Sequence, residues 1–123
     1  MKFDKRVFSI LHDYASDSEL IRHSRHACAI TLKNNILGVG MARYKTHPLM
    51  AKYQDKSERV FLHAEIDAIV KVINKHGSEI LKDSDMYILR LTKGGSLGMS
   101  KPCDGCQMAI DAFGIKNVYW SKS

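Results

Sequence analysis

No stretch of this chain is apolar for long enough to span a bilayer, which takes about 20 residues in a helix, and none repeats or falls to low complexity. The first residues, Met1-Lys2-Phe3-Asp4-Lys5-Arg6, lead into an amphipathic pattern and not into the apolar core of a signal peptide. Cysteine is scarce. Three residues, two of them three positions apart, do not make a disulfide framework. The protein is therefore expected to be cytoplasmic or otherwise intracellular, with no membrane partner, where thiols stay reduced. Acidic charge is also short, with 13 Asp and Glu against 19 Lys and Arg and a formal net charge of +6. That excess suits anionic partners such as nucleotides or nucleic acid, and it equally suits a solvated basic surface. Gly94, Gly95 and Gly98 are not followed by a helix that opens on Lys-Ser or Lys-Thr, so they do not form a phosphate-cradling loop.

What remains is ordinary globular material: 123 residues, 45% hydrophobic and 26% charged, enough for one domain and not for two. We read residues 1–123 as a single domain, with an N-terminal helical segment at 1–22 and a core at 25–121. Phe3, Val7, Ile10, Leu11 and Tyr14 recur at helical spacing over residues 3–15, with Asp4 as the N-cap. A break at Ser16-Asp17-Ser18 precedes a short turn at Glu19-Leu20-Ile21. Ala27 to Leu32 and Ile36 to Met41 read as two strands of a hairpin, turned at Asn34-Asn35. Residues 43–59 are polar and basic and read as a long loop, a feature that in so small a domain is usually functional or mobile. Leu62 to His76 is the clearest helix, with Ala64, Ala68, Ile69, Val72 and Ile73 on its apolar face and Gly77 as its stop. A strand at Met86–Leu91, a flexible connection at 92–101, a helix from Cys103 to Phe113 and a last strand at Asn117–Trp120 complete the order α-β-β-α-β-α-β. Such alternation predicts a three-layer α/β/α domain.

Two short segments carry the chemistry. Lys101-Pro102-Cys103-Asp104-Gly105-Cys106 places two thiols at i, i+3, on one face of a helix start. His63-Ala64-Glu65 places an imidazole and a carboxylate two residues apart at another helix start. Helix N-termini bear unsatisfied N–H groups and partial positive charge, which favour thiolates there. Pro102 stands where its fixed φ suits the start of a helix. One Zn²⁺ held by His63, Cys103 and Cys106 keeps a fourth tetrahedral position open, as catalytic zinc sites do. Two thiolates neutralise the ion formally, so the carboxylate of Glu65 matters as a base beside that position.

The paired segments resemble the cytidine and deoxycytidylate deaminase superfamily, whose zinc signature is H-x-E with P-C-x-x-C. The runs Arg25-His26-Ala27, Tyr44-Lys45-Thr46-His47-Pro48, His63-Ala64-Glu65-Ile66-Asp67-Ala68-Ile69 and Ser100-Lys101-Pro102-Cys103 are similar to small deaminase-like proteins of phage and bacterial type. The resemblance implies a cytidine-deaminase-like fold with a short or missing fifth strand. It implies hydrolytic deamination of a cytosine-containing nucleoside or nucleotide, a monophosphate such as dCMP foremost, with Zn²⁺ as cofactor and Glu65 carrying protons for the water that attacks C4. The backbone at Ala64 is expected to meet the base edge. Many relatives carry an asparagine after the second strand. Here the stretch is Gly40-Met41-Ala42-Arg43, so sugar or phosphate recognition is expected from Arg43, Tyr44, Lys45 or His47. An exposed edge at Val118–Trp120 is expected to favour a homo-oligomer.

Two other readings stay open at this stage. One is a deaminase of cytosine or adenine bases within RNA or single-stranded DNA, prompted by the charge and the absent asparagine. The other is a zinc-bearing nucleotide-binding module without turnover. A closed structural zinc site would need a fourth ligand, and Cys28, inside an apolar strand, is expected to be core instead. His12, His23, His26, His47 and His76 are individually weak site candidates, with His26 and His47 nearest the hairpin strands. Trp120 is expected to serve packing before stacking on a base.

Overall fold

The computed structural model describes residues 4–17, 25–43, 48–53 and 62–123. The first helix, α1 (Lys5–Ser16), begins where Asp4 accepts the backbone N–H groups of Arg6 at 2.8 Å and Val7 at 3.1 Å, an N-cap of the expected kind. Val7, Leu11 and Ala15 form its buried stripe. Strands β1 (Arg25–Leu32) and β2 (Asn35–Met41) make the antiparallel hairpin. The turn falls one residue earlier than expected, at Lys33-Asn34, with Lys33 in the left-handed region at φ 57°. The short turn expected at Glu19-Leu20-Ile21 lies outside the described residues.

The long loop expected over 43–59 is corrected in part. Pro48–Tyr53 forms a short helix, α2, with Met50 buried against the core. Proline at a first helical position is pre-set for the turn, and Leu49, Met50 and Tyr53 then face inward together. Helix α3 (Ala64–His76) follows, closed by Gly77 at φ 83°. It starts two residues later than expected, because Leu62 is held in an isolated bridge to Arg43. A 3₁₀ turn (Glu79–Asp83) leads to β3 (Asp85–Leu91), and α4 (Asp104–Phe113), stopped by Gly114 at φ 75°, leads to β5 (Asn117–Trp120). The connection at 92–101 also holds a two-residue strand, β4 (Leu97–Gly98), which raises the sheet to five strands among the described residues.

Strand order is β2-β1-β3, and the outer edge of β3 is shared: β5 pairs in parallel with Asp85 to Ile88, β4 in antiparallel with Arg90 and Leu91. Alternation along the strands sorts the core into two sides. Ala27, Ala29, Leu89 and Leu91 pack with α1, whereas Cys28, Ile30, Met86 and Ile88 pack with α3 and α4. The result is the three-layer α/β/α arrangement. Ile66, Ile69 and Val72 of α3 are fully buried on the larger side, each contributing about 1.5–3 kcal/mol of apolar transfer. Among the described residues no helix is long and apolar enough to cross a membrane.

Candidate metal centre and active site

Helices α3 and α4 start at the same end of the sheet, on the same face. His63 is the N-cap of α3 and Cys103 the N-cap of α4. The Cys103 thiol accepts the Cys106 backbone N–H at 3.4 Å, so one sulfur caps the helix whose first turn carries the other. His63 Nδ1 stands 3.3 Å from Cys106 Sγ and 3.7 Å from Cys103 Sγ. A tetrahedral zinc bonded to a nitrogen and a sulfur separates them by roughly 3.6 Å. The ligand atoms of His63, Cys103 and Cys106 lie within 4.8 Å of one another, and among the described residues no fourth His, Cys, Asp or Glu joins them. Donor set and spacing fit a zinc ion with one open position.

The two thiols share one proton unequally. Hydrogen bonds from Cys106 and then His63 pull the Cys103 thiol down to about 3, half-exposed at the helix start. Cys106, buried, is pushed the opposite way, chiefly by its bond to the Cys103 thiolate and then by desolvation. A metal replaces that proton and lets both sulfurs act as anions.

Glu65 lies in the first turn of α3, 5% exposed. Desolvation by burial raises its carboxyl to about 6, its own backbone N–H and the His63 charge lower it, and the Cys103 charge raises it again. A carboxyl poised near neutrality beside a metal-ligand group can both accept and return a proton.

Other expectations fare variously. Ala64 is buried, its carbonyl oxygen pressed toward Gly40, where an added Cβ would stand 2.5 Å away. Arg43 is not free: its Nε donates to Asp67 Oδ2 at 3.3 Å, with its side chain 39% exposed. Tyr44, Lys45, His47 and His23 lie outside the described residues. Cys28 is fully buried core, as expected, though close enough for Glu65 to raise its thiol, after desolvation. His12 belongs to α1, stacked on Phe8 and across the sheet from the metal-ligand group. His76 ends α3, far along the helix from His63. His26 pairs with Arg90 across the strands, at the site end of the sheet. Trp120 packs against the larger core.

Two groups escaped the sequence reading. Asp67 is a buried carboxylate two residues past Glu65, signalled only by its place in the helix's first turn. Ser100 and Ser121, both buried, bring their hydroxyl oxygens to 2.9 Å from each other where the connection before α4 meets the end of β5. No local pattern announces that pair.

A three-layer α/β/α fold with a His-Cys-Cys group across two helix starts defines an α/β protein built to hold a zinc ion. The cytidine and deoxycytidylate deaminase zinc-binding region matches residues 1–122, and the chain belongs to that family. Similar solved structures include a guanine deaminase from Bacillus subtilis, with TM-score 0.61 and 18% identity over 98% of this chain. The chain spans 65% of that enzyme's length. A dCMP deaminase from the cyanophage S-TIM5 is similar in its apo form, with TM-score 0.57, 18% identity and 96% of this chain against 84% of that one. Its complex with dCMP and dUMP aligns with TM-score 0.55 and 18% identity, over 97% of this chain and 83% of that chain. No curated protein sequence matches the chain.

Proposed function

We propose that the protein is a zinc-dependent hydrolase that converts a cytosine-containing nucleotide, a monophosphate such as dCMP, to its uracil form with release of ammonia. The observation that carries this reading is the His63–Cys103–Cys106 group beside the buried Glu65, with no fourth protein ligand among the described residues. Zinc, which His63, Cys103 and Cys106 would hold, would supply a Lewis acid that lowers the pKa of a water. Glu65 is assigned as the base that takes a proton from the attacking water as the water oxygen bonds to C4, and hands it to N3 of the ring. Glu65 then carries the remaining proton of the new C4 hydroxyl to the amino group as the C4–N bond breaks and the C4 carbonyl forms, so water and cytosine become uracil and ammonia. The backbone at Ala64 is assigned to the base edge.

Support for a nucleotide substrate comes from the +6 charge, from the partly exposed Arg43 guanidinium, and from the dCMP and dUMP complex of the similar phage enzyme. Arg43, with Tyr44, Lys45 and His47, is assigned to the phosphate and sugar. Among the described residues β5 pairs only with β3, so a homo-oligomer that covers its outer edge belongs to the same reading, as does a cytoplasmic setting. The net charge also favours a second substrate, a cytosine or adenine base within RNA or single-stranded DNA.

Ammonia release from cytidine, deoxycytidine, their monophosphates and an oligonucleotide separates these readings. Turnover of the monophosphates above the nucleosides is expected. Turnover of the oligonucleotide alone, weakening steeply with salt, transfers the assignment to nucleic acid. Glu65→Gln is expected to keep its zinc and lose roughly 10²–10⁴-fold in rate. Full ammonia release by that variant, or nucleotide binding without turnover by the parent, would end the enzymatic reading of Glu65.

A further inference from the structure

Asp67 sits 3% exposed in the first turn of α3. One of its oxygens, Oδ2, accepts the Met41 backbone N–H at 2.9 Å and Arg43 Nε at 3.3 Å, and lies 3.1 Å from Lys71 Nζ. Met41 ends β2, so the carboxylate ties the start of the helix to the end of the strand. A carboxylate this buried is stable only because donors surround it, helped by the positive end of the helix.

The tie closes a circuit. Arg43 exchanges two backbone hydrogen bonds with Leu62, each 2.9 Å long. Leu62 precedes His63, whose carbonyl accepts the Asp67 backbone N–H at 2.9 Å. The path from Asp67 through the Arg43 side chain, the Arg43 backbone, Leu62 and His63 returns to Asp67. His63 is thereby fixed from both sides along the chain, although Asp67 is not among the three candidate ligands. The same carboxylate sets where the Arg43 guanidinium points.

We infer that Asp67 is a positioning residue, which through Arg43 and Leu62 holds His63 in ligating geometry and so slows loss of the metal. It rests on the zinc-site reading above, and the two fail separately. A parent protein that binds no zinc ends that reading, whereas the comparison of variants below addresses Asp67 alone.

The test is the rate at which zinc leaves for a chelator, read in the parent, Asp67→Ala, Arg43→Ala and the double variant, with a thermal melt of each zinc-free protein. Partners behind metal ligands are typically worth 10–100-fold in metal affinity. Each single variant is expected to release zinc about 10–100-fold faster, and the double variant no faster than the worse single one, because both break one circuit. A purely structural role would lower the zinc-free melts and leave release from folded protein at the parent rate. That result, or effects that multiply in the double variant, would overturn the proposal. Should Asp67→Ala not fold, Arg43→Ala breaks the same circuit from a partly exposed position and decides the matter.

Discussion

The His63–Glu65 half of the site rides on a helix laid directly against β1 and β2, whereas the Cys103–Cys106 half opens α4 after a connection that runs along the outer edge of β3. On the first side, backbone meets backbone. Gly40 of β2 lies so near α3 that a Cβ there would stand 2.2 Å from the Ala68 nitrogen and 2.5 Å from the Ala64 oxygen. On the second side, hydroxyls take over. Ser121 Oγ donates to the Gly98 carbonyl at 2.8 Å and accepts the Arg90 N–H at 3.0 Å, while Ser100 Oγ donates to the Ile88 carbonyl at 3.0 Å. These bonds continue the sheet edge between β5 and β4, where no strand runs along β3. The first half is thus set by shape and the second by a small polar lock, and each should fail in its own way.

The largest effect is expected at Gly40. In Gly40→Ala the new methyl meets main-chain atoms of α3, which cannot rotate aside as a side-chain tip can. Overpacking of this kind costs about 3 kcal/mol, and the helix that carries His63 and Glu65 has to move to relieve it. Urea unfolding of the zinc-free protein measures the loss, and zinc retention should fall with it. A parent-like midpoint would mean that α3 floats on the sheet, which would erase the contrast.

Next comes Ser121→Ala. Ser121 is 3% exposed, and its loss leaves the Arg90 N–H and the Gly98 carbonyl without their hydroxyl partner. A buried polar group stranded in this way costs about 1–3 kcal/mol. Zinc release should then be faster than in the parent, with the Asp67–Arg43 pairing unaffected. Unchanged stability together with unchanged zinc release would show that the serine pair does not hold the cysteine loop.

How far these features could be read beforehand follows from the range of the interactions. Cys103 and Cys106, His63 and Glu65 are legible because metal and proton chemistry demand particular residue types at short spacing. Asp4 is legible because a cap acts within three residues. The apolar face of α3 is legible from its period, yet Asp67 sits among those buried positions with partners at Met41 and Arg43, and only its place in the first turn marks it. Ser100 and Ser121 meet across 21 residues, and two small hydroxylated residues carry no signal until the sheet brings them together. The helix at Pro48–Tyr53 was hidden by a basic surrounding sequence that outweighed its three inward-facing side chains. The two residues of β4 are strand only because the end of β3 offers them an edge.

The smallest effect is expected at Gly98, which is the counterpart of Gly40 on the cysteine side. A Cβ there would meet Arg90 Cδ at 3.1 Å, Thr92 Cγ2 at 3.1 Å and Arg90 Nε at 3.2 Å, all side-chain atoms. The Arg90 guanidinium donates to the Met99 carbonyl at 3.3 Å, and its side-chain stem, unlike main chain, can shift by a change of rotamer. Replacing glycine where alanine fits its backbone gains about 0.4–1 kcal/mol by restricting the unfolded chain. Displacing the arginine stem offsets that gain, so Gly98→Ala should fall within about 0.5 kcal/mol of the parent. Measured beside Gly40→Ala under the same conditions, the pair isolates what each methyl strikes, main chain in one case and a flexible side chain in the other. A loss at Gly98 as large as that at Gly40 would mean that the cysteine loop is packed as rigidly as α3, and the two halves would no longer differ in kind.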